Sequence, residues 1–270
     1  MDRRDGALLE VIDKGRSTDE HPVPLLFVHG ALHAAWCWDE HFLDFFAAQG
    51  YRAIAVSLRG HGKSPGGERL RWTRIQEYAD DVAQTAAQLP TEPVLIGHSM
   101  GGFVVQKYLE QHTAAGAILV QSVPPSGVLG ATLRVARRHP KAFAKVNVSL
   151  RLAPLVATPE LVRDVFFSAS TPDDHVNCCQ QRVRDESYRA FLDILALDLV
   201  RTKRVNRVPM LVLGAENDTV LFPQRQIRRT AAVYGTEAEI FPDMGHNMML
   251  EPGWQAVAER IDGWLAARGL

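Results

Sequence analysis

The stretch "VLIGHSMGG", Val94 to Gly102, sets one serine among glycines directly after a run of apolar residues. The residues before it have the pattern of a short buried strand. The segment "FVVQKYLEQH" that follows has apolar residues at helical spacing: Phe103, Val104, Tyr108 and Leu109. A strand, a sharp turn and a helix in this order predict a turn that exposes the Ser99 hydroxyl. Because a lone Gly-x-Ser-x-Gly pattern arises by chance in about one such chain in twenty, the rest of the sequence must decide its meaning.

Apolar segments rich in β-forming residues recur along the chain, with helical patterns between them. They occupy 24–30, 51–60, 92–99, 116–122, 208–218 and 237–246. This alternation predicts an α/β protein with a doubly wound, mostly parallel sheet and helices on both faces.

Two of the intervening helices have readable starts and apolar faces. Thr73 and Gln76 fit a capping box, and Pro252 fits the first turn of a C-terminal helix. The two apolar stripes are Ile75, Tyr78, Ala79, Val82, Ala83 and Ala86, and Trp254, Val257, Ala258, Ile261, Trp264 and Leu265. We expect both helices to cover the sheet.

The strand pattern disappears between about 124 and 206, where helical segments alternate with prolines. We expect this segment to form a helical cap inserted into an α/β core made of 1–123 and 207–270. Six basic residues occur from Arg134 to Arg151 without one acidic residue. The pattern favours a solvated helix face over a docking surface for acidic substrates or lipid headgroups.

The overall composition argues against several classes of partner. The 270 residues contain 30 Lys and Arg against 31 Asp and Glu, so no strong field would attract nucleic acid or anionic membranes. The first twenty residues carry charge throughout and resemble no signal peptide, and no later segment is long and apolar enough for a membrane span. We therefore expect a cytoplasmic protein with a small-molecule substrate. The oligomeric state does not follow from the sequence.

The cysteines and paired histidines predict neither a disulfide framework nor a metal site. The cysteines are Cys37 and the adjacent Cys178 and Cys179, which rarely bridge to each other; the last two receive no role. His29 and His33 are four residues apart but have no acidic partner nearby, so zinc ligation is not expected.

A serine becomes a good nucleophile when a histidine removes its proton and a carboxylate orients that histidine. His246 lies in "PDMGHNMMLEP", in the loop between a strand and the last helix. Asp218 lies in "LVLGAENDTVLFP", just after a strongly apolar strand, and is the favoured acid; Glu216 and Asp243 are the alternatives. Each carboxylate could also cap a helix or a turn.

The oxyanion of such a reaction needs two backbone N–H donors. Met100 follows the candidate nucleophile and is expected to supply one. The other is expected from the loop after "LLFVHG", where Ala31 is favoured over Leu32.

At this point the chain resembles the α/β-hydrolase superfamily over almost its whole length. The resemblance rests on five motifs in family order: "HGALHAAWCW" at 29–38, "SLRGHGKS" at 57–64, "GHSMGG" at 97–102, "GAENDTVLFP" at 214–223 and "MGHNMMLEP" at 244–252. The first motif is similar to the plant esterase and hydroxynitrile lyase branch, whereas the second is similar to bacterial serine esterases of the lysophospholipase-like type.

The resemblance implies the α/β-hydrolase fold with a cap over the pocket. It also implies Ser99 as nucleophile, Asp218 and His246 as its acid and base, and donors from Ala31 and Met100. We therefore expect hydrolysis of a small, medium or aromatic carboxylic ester through an acyl-enzyme, a reaction that requires no metal or organic cofactor.

Apolar residues near these motifs are candidates for substrate contact, although each could equally belong to the core: Leu32, Trp36, Phe103, Phe166, Phe167 and Met248. Met100, Met249 and the cap residues Val128, Leu129 and Leu133 belong to the same predicted greasy pocket. Two other functions stay open. A lyase of the same fold is one, but the lysine that follows the catalytic histidine in the hydroxynitrile lyases is Asn247 here. A ligand receptor that kept the triad is the other.

Overall fold

A seven-stranded sheet forms the centre of the protein, as the computed structural model shows for residues 8–270. Residues 1–7, part of the segment that resembles no signal peptide, lie outside the described residues. The strands are β1 (Val11–Lys14), β2 (Leu25–Val28), β3 (Ala53–Val56), β4 (Val94–His98), β5 (Gly116–Val120), β6 (Met210–Ala215) and β7 (Ala238–Phe241). Their order is β1-β3-β2-β4-β5-β6-β7, and every pairing is parallel except that of β1 with β3.

The predicted doubly wound, mostly parallel sheet is confirmed. The pattern did not predict the edge strand β1, "VIDK", whose side chains are exposed or half-buried, because a short edge strand needs little apolar sequence. Each of the six predicted strands is shorter than the segment that predicted it, because each segment also covers loop residues beside the strand.

Both faces of the central strands are covered. Along β2, Leu25 and Phe27 pack into one core while Leu26 and Val28 pack into the other, because successive side chains of a strand point to opposite faces. This explains why β2 is apolar at every position.

Six helices belong to the layers that cover the sheet. They are α1 (Trp36–Asp39), α2 (Phe42–Ala48), α3 (Ile75–Ala86) and α4 (Met100–Tyr108), followed near the C-terminus by the two helices Gln224–Val233 and Trp254–Ala266. Side chains of α1, α2 and Trp254–Ala266 lie in one core. Those of α3, α4 and Gln224–Val233 lie in the other. Both predicted apolar stripes face the sheet.

Two predicted helix starts were wrong by one or two residues. The N-cap of α3 is Arg74, whose backbone N–H donates to the Glu77 carboxylate at 2.8 Å. Only this half of a capping box forms, because an arginine side chain has no acceptor. Thr73 is buried instead, and its carbonyl accepts from Ser187 Oγ at 2.6 Å. Pro252 precedes the last helix, in a turn closed by the Trp254 N–H on the Glu251 carbonyl at 3.0 Å.

Five helices lie between β5 and β6: α5 (Leu129–Arg138), α6 (Pro140–Ser149), α7 (Pro159–Phe166), α8 (Asp173–Arg182) and α9 (Tyr188–Leu192). The helices of the C-terminal part are therefore α10 (Gln224–Val233) and α11 (Trp254–Ala266). A 3-10 turn follows α6 at Ala153–Val156, and a short π-helix follows α9 at Asp193–Leu197. The segment is helical as predicted, while the division into core and cap stays a prediction.

The basic run of α5 and α6 is only partly a solvated face. Arg134 donates to the carbonyls of Val220 and Leu221, and so joins α5 to the loop after β6. Arg138 pairs with Asp164 of α7. Ion pairs and hydrogen bonds within the protein therefore engage part of the positive charge of this run.

No helix within residues 8–270 combines the length and the apolar character needed to cross a bilayer.

We expect Phe27→Ala to lower the free energy of unfolding by about 3 to 5 kcal/mol, because a cavity would replace a fully buried ring. The Phe27 ring lies 5.1 Å from Trp38 and 5.7 Å from Phe46, centroid to centroid. Urea denaturation followed by tryptophan fluorescence measures the loss. The control is Val148→Ala, a side chain that is 88% exposed, with an expected change within about 0.5 kcal/mol. Equal losses in both variants would contradict this view of the core.

Candidate active site

Ser99 lies in the sharp turn between β4 and α4. Its φ of 51° is in the left-handed region, which is costly for a residue with a side chain and is typical of functional turns. The turn is fixed because the Ser99 N–H donates to the Val120 carbonyl at 3.1 Å and its own carbonyl accepts from the Gly102 N–H at 3.1 Å. The side chain is 7% exposed and lines a cavity.

The two glycines around Ser99 permit this turn because backbone passes directly beside them. A Cβ at Gly97 would lie 2.6 Å from the Gly101 carbonyl oxygen, and a Cβ at Gly101 would lie 2.3 Å from the Val28 carbonyl oxygen. No side chain fits at either position. The structure therefore explains the glycine pattern that the sequence analysis started from.

Asp218 and His246 meet at the carboxyl ends of β6 and β7. His246 Nδ1 donates to Asp218 Oδ2 at 2.7 Å, and both side chains are buried. The other two candidate acids, Glu216 and Asp243, are exposed. Asp218 is thus the carboxylate that holds the ring of His246.

Asp218 accepts further hydrogen bonds that the sequence did not predict. Gln121 Nε2 donates to Oδ2 at 2.7 Å, and the N–H groups of Leu221 and Phe222 donate at 2.8 and 3.1 Å. Burial alone would raise the pKa of the Asp218 carboxyl. The charge of His246 and the hydrogen bonds from His246, Gln121 and Leu221 outweigh burial, so the pKa lies below its usual value. Asp218 is therefore an anion at neutral pH.

Ser99 and His246 line the same cavity. Among residues 8–270 no hydrogen bond joins the Ser99 hydroxyl to the His246 ring. In enzymes without substrate such a bond is often loose and tightens when substrate binds. His98 Nε2 donates to the His246 carbonyl at 3.0 Å. Burial and the nearby charges of His246 and His33 lower the pKa of His98 well below its usual value, so His98 is a neutral ring that holds the backbone of His246.

The loop after β2 passes beside Ser99, and Ala31, Leu32 and Met100 all line the cavity. The Leu32 N–H donates to Glu186 Oε2 at 3.3 Å and is thus engaged. Met100 is the first residue of α4, so its N–H has no acceptor within the helix. Of the two donors considered for this loop, the geometry favours Ala31 over Leu32.

The cavity has a volume of about 120 Å³ and is almost entirely apolar. Its walls combine the residues around Ser99 with side chains of the helical segment between β5 and β6. The residues from that segment are Val128, Ala131, Thr132, Val135, Phe143, Val146, Leu152, Leu155, Val165, Phe166, Phe191 and Ile194.

The six predicted substrate contacts divide into three groups. Leu32 and Phe166 line the cavity beside Ser99. Trp36 and Phe167 line a separate cavity of about 90 Å³, where the Arg182 guanidinium lies 4.2 Å from the Trp36 ring. Phe103 and Met248 are fully buried in the two cores. The structure therefore does not bring the last four to the cavity around Ser99.

The prediction for the greasy pocket was also wrong for Leu129 and Leu133, which are 59% and 49% exposed. In α5 the inward face carries Ala131 and Val135, so Leu129 and Leu133 lie on the outer face. Met249 is buried in the core instead. The spacing of Ala131 and Val135 in "LGATLRVARR" is the signal that could have identified the inward face.

Two polar residues that the sequence analysis missed hold the loops of the site. Gln121 has a φ of 43°, and its Oε1 accepts from the Ala215 N–H at 2.8 Å, so it links the ends of β5 and β6 as well as Asp218. Glu251 accepts from the N–H groups of Gly245 and Ser168 at 2.8 and 2.6 Å. It thereby joins the His246 loop to the segment after α7.

Two further histidines near the site bond to the backbone of the loop after β2. His29 Nδ1 and His33 Nδ1 donate to the carbonyls of Gly30 and Ala31, each at 2.8 Å. All three cysteines are free. Within the described residues, no cluster of three or more His, Cys, Asp or Glu side chains could hold a metal ion.

Comparison with known proteins gives one consistent family. The model of the alpha/beta hydrolase family matches residues 25–260. A non-heme haloperoxidase of Rhodococcus erythropolis is 38% identical over 245 residues, which cover 83% of this chain and 86% of the relative. A monoacylglycerol lipase of Mycolicibacterium smegmatis is 26% identical, over 93% of this chain and 90% of the relative. Among solved structures, a thermophilic esterase from Thermogutta terrifontis shares the fold with a TM-score of 0.70 and 22% identity, over 97% of this chain and 94% of that one.

We expect the free energy of unfolding to decrease as the pH is lowered below about 4. In Asp218→Asn this decrease should be smaller. Because the pKa of Asp218 is lower in the folded chain than in the unfolded one, the unfolded chain binds the proton first as the pH falls. The stabilisation that the Asp218 carboxylate provides is fully present above its pKa in the unfolded chain. It is lost as the pH falls through its pKa in the folded chain. Urea denaturation between about pH 3 and 7 measures it. The exposed Asp19→Asn should keep the wild-type slope, and an unchanged slope in Asp218→Asn would contradict the expectation.

Proposed function

Since the chain belongs to the alpha/beta hydrolase family, we propose that it hydrolyses carboxylic esters with small or medium acyl groups or aromatic acyl groups, through an acyl-enzyme on Ser99. One observation carries the proposal. The strained Ser99 and His246, whose ring is hydrogen-bonded to Asp218, line one apolar cavity together with the loop of Ala31 and the start of α4.

In the proposed reaction, Ser99 Oγ attacks the ester carbonyl carbon and His246 Nε2 takes the hydroxyl proton. This role is supported by the bond from His246 Nδ1 to Asp218, which leaves Nε2 as the basic nitrogen. The tetrahedral oxyanion accepts from the N–H groups of Ala31 and Met100. It collapses with loss of the alkoxide, which receives the proton from His246.

Water then attacks the acyl-enzyme while His246 takes one of its protons. The second tetrahedral intermediate releases the carboxylic acid, and the proton returns to Ser99 Oγ. His246 transfers every proton in both half-reactions, so the proposed reaction needs no other general acid or base. The apolar cavity supports an acyl group without charge, because burial of a charge against these walls would be costly.

A second activity is supported by the names of two relatives. The Rhodococcus erythropolis relative is a non-heme haloperoxidase, and a relative from Acinetobacter calcoaceticus is a bifunctional esterase/perhydrolase. Attack of hydrogen peroxide in place of water on the acyl-enzyme would release a peracid, which can oxidise a halide. Bromination of phenol red in the presence of acetate, bromide and hydrogen peroxide tests this activity. It should disappear in Ser99→Ala.

The lyase alternative has less support. Asn247, at the position of the lysine in the hydroxynitrile lyases, is fully buried, and its Nδ2 donates to His33 Nε2 at 3.1 Å. It is absent from the walls of the cavity around Ser99. Cyanide release from mandelonitrile would restore this alternative.

Ser99→Ala is expected to lower kcat/KM on p-nitrophenyl butyrate by at least about a thousandfold, since the nucleophile is removed. Spectrophotometric release of p-nitrophenol measures the change. The matched control is Ser126→Ala, an exposed serine after β5, which should retain wild-type activity. Full activity in Ser99→Ala would refute the acyl-enzyme.

A fluorophosphonate probe separates catalysis from a ligand receptor of the same fold. We expect covalent labelling that is lost in Ser99→Ala and in His246→Ala, since phosphonylation needs the activated hydroxyl. Mass spectrometry of the labelled peptide identifies the residue. Absence of labelling in the wild-type protein would favour the receptor.

Activity should rise with acyl length until the cavity is full, by up to about fourfold in kcat/KM for each added methylene. Val146 is a buried residue of the cavity wall, and Val146→Phe would occupy part of the space. We expect this variant to keep the wild-type rate on p-nitrophenyl acetate and to lose the gain from longer chains. A parallel loss on all chain lengths would show that Val146 does not limit the acyl site.

A further inference from the structure

The peptide groups on either side of Ala31 have hydrogen-bond partners that fix their directions. The Gly30 carbonyl accepts from His29 Nδ1, and the Ala31 carbonyl accepts from His33 Nδ1, each at 2.8 Å. The Leu32 N–H, in the same peptide group as the Ala31 carbonyl, donates to Glu186 Oε2 at 3.3 Å. Because a trans peptide holds its N–H opposite its carbonyl, the His29 contact sets the direction of the Ala31 N–H. The His33 and Glu186 contacts hold the next peptide group, on the other side of the Ala31 Cα.

Glu186 comes from a distant part of the chain, the connection between α8 and α9. Its carboxylate is buried and has donors from three other regions. Besides the Leu32 N–H, His61 Nε2 contacts Oε2 at 3.1 Å, and Tyr78 Oη donates to Oε1 at 2.7 Å. The N–H of the adjacent Ser187 also donates to Oε1 at 2.6 Å. The carboxylate therefore has little freedom to rotate.

A buried charge in this position needs an explanation other than stability. Burial would raise the pKa of Glu186, but the charge and hydrogen bond of His61 and the bond from Tyr78 outweigh it, so the pKa lies below its usual value. Burial would likewise lower the pKa of His61, and Glu186 raises it instead. An ion pair of this kind contributes little to stability compared with apolar residues of similar size, and its best-attested use is to specify one arrangement.

The group that Glu186 holds is strained. Leu32 has a φ of 69°, a left-handed conformation that a leucine adopts only when its surroundings require it. The acceptor on the Leu32 N–H is a charged carboxylate at 3.3 Å, and a hydrogen bond to a charged acceptor is stronger than one to a neutral acceptor at the same distance. Without that acceptor, Leu32 is expected to relax. The peptide group between Ala31 and Leu32 would turn with it and change the backbone conformation of Ala31 at its ψ angle, so that Ala31 would lose one of the two anchors that flank it.

We propose that Glu186 is a positioning residue that, through Leu32, directs the Ala31 N–H toward the oxyanion of the reacting ester. The inference rests on the proposed function for the role of Ala31. Glu186 touches no substrate. It acts through the loop after β2, and it places part of the oxyanion site under the control of the segment between α8 and α9.

Glu186→Gln tests the proposal in the full-length protein. An amide in place of the carboxylate cannot accept from all four donors, so we expect the loop to lose its fixed direction. On p-nitrophenyl butyrate, kcat should fall about ten- to hundredfold, less than the full loss of an oxyanion donor. KM should stay within about twofold, because the interaction is made only in the transition state.

A second readout separates positioning from a general structural role. A trifluoromethyl ketone forms a tetrahedral adduct with the serine, so its inhibition constant should rise in Glu186→Gln by the same factor by which kcat falls. Tyr78→Phe, which removes one bond to Glu186 Oε1 and leaves the carboxylate in place, should change both quantities in the same direction by a smaller factor. If Glu186→Gln does not fold, the Tyr78→Phe variant tests the proposal by the same two measurements.

Asp164→Asn is the matched control, since Asp164 joins α7 to Arg138 and His139 and makes no contact with the loop after β2. It should keep the wild-type kcat and inhibition constant. Wild-type values in Glu186→Gln would overturn the proposal. An equal loss in Asp164→Asn, or a loss confined to KM, would also overturn it.

The amide resonances of Ala31 and Leu32 test the same contact without turnover. In spectra of the ¹⁵N-labelled protein, both should shift in Glu186→Gln and remain in place in Asp164→Asn. Unchanged resonances would overturn the proposal. If the wild-type protein hydrolysed no ester and yet these resonances shifted, the proposed function would fail while the link from Glu186 to Leu32 would stand.

Discussion

The backbone of α4 crosses β2 and β4 so closely that Gly97 and Gly101 have no room for a side chain. This close approach is the constraint on which the site depends. It forces Ser99 into a left-handed turn and puts the first N–H groups of α4 beside that turn. It also brings the carboxyl end of β2, and with it the loop of Ala31, next to the serine. A bulkier residue at Gly101 would have to displace β2 itself.

Three buried carboxylates hold the loops that surround this turn. Asp218 accepts from its own loop and from His246, Glu251 holds the loop before His246, and Glu186 holds the loop after β2. A hydrogen bond to a charged group contributes about 1.5 to 3 kcal/mol, and a buried donor left without its acceptor costs a similar amount. The loops are therefore ordered by polar contacts, whereas the sheet beneath them is ordered by apolar packing.

The sequence was informative where function depends on local pattern. The strand, turn and helix around Ser99 could be read from contiguous residues, and Asp218 and His246 stood out because each follows an apolar strand at loop distance. Contacts between distant segments could not be read in this way. Glu186 lies more than a hundred residues from Leu32, and "RDESYR" around it has no pattern that identifies its partners. The residues of the cavity wall could not be predicted for the same reason. Phe103 and Phe143 are the same type of residue, and only the packing of the helices buries Phe103 in the core and places Phe143 in the cavity wall.

The apolar walls above Ser99 come mainly from helices between β5 and β6, while Ser99, Asp218 and His246 lie just after the ends of the strands. In the proposed ester hydrolysis, selection of the acyl group and cleavage of the bond would therefore depend on different stretches of the chain. Natural variation can reshape the walls through α5, α6 and α7 without disturbing the serine, histidine and aspartate. The exception is Glu186, which lies in the same stretch as the walls but bonds to the loop after β2, so a substitution there would act near Ser99 from outside the cavity.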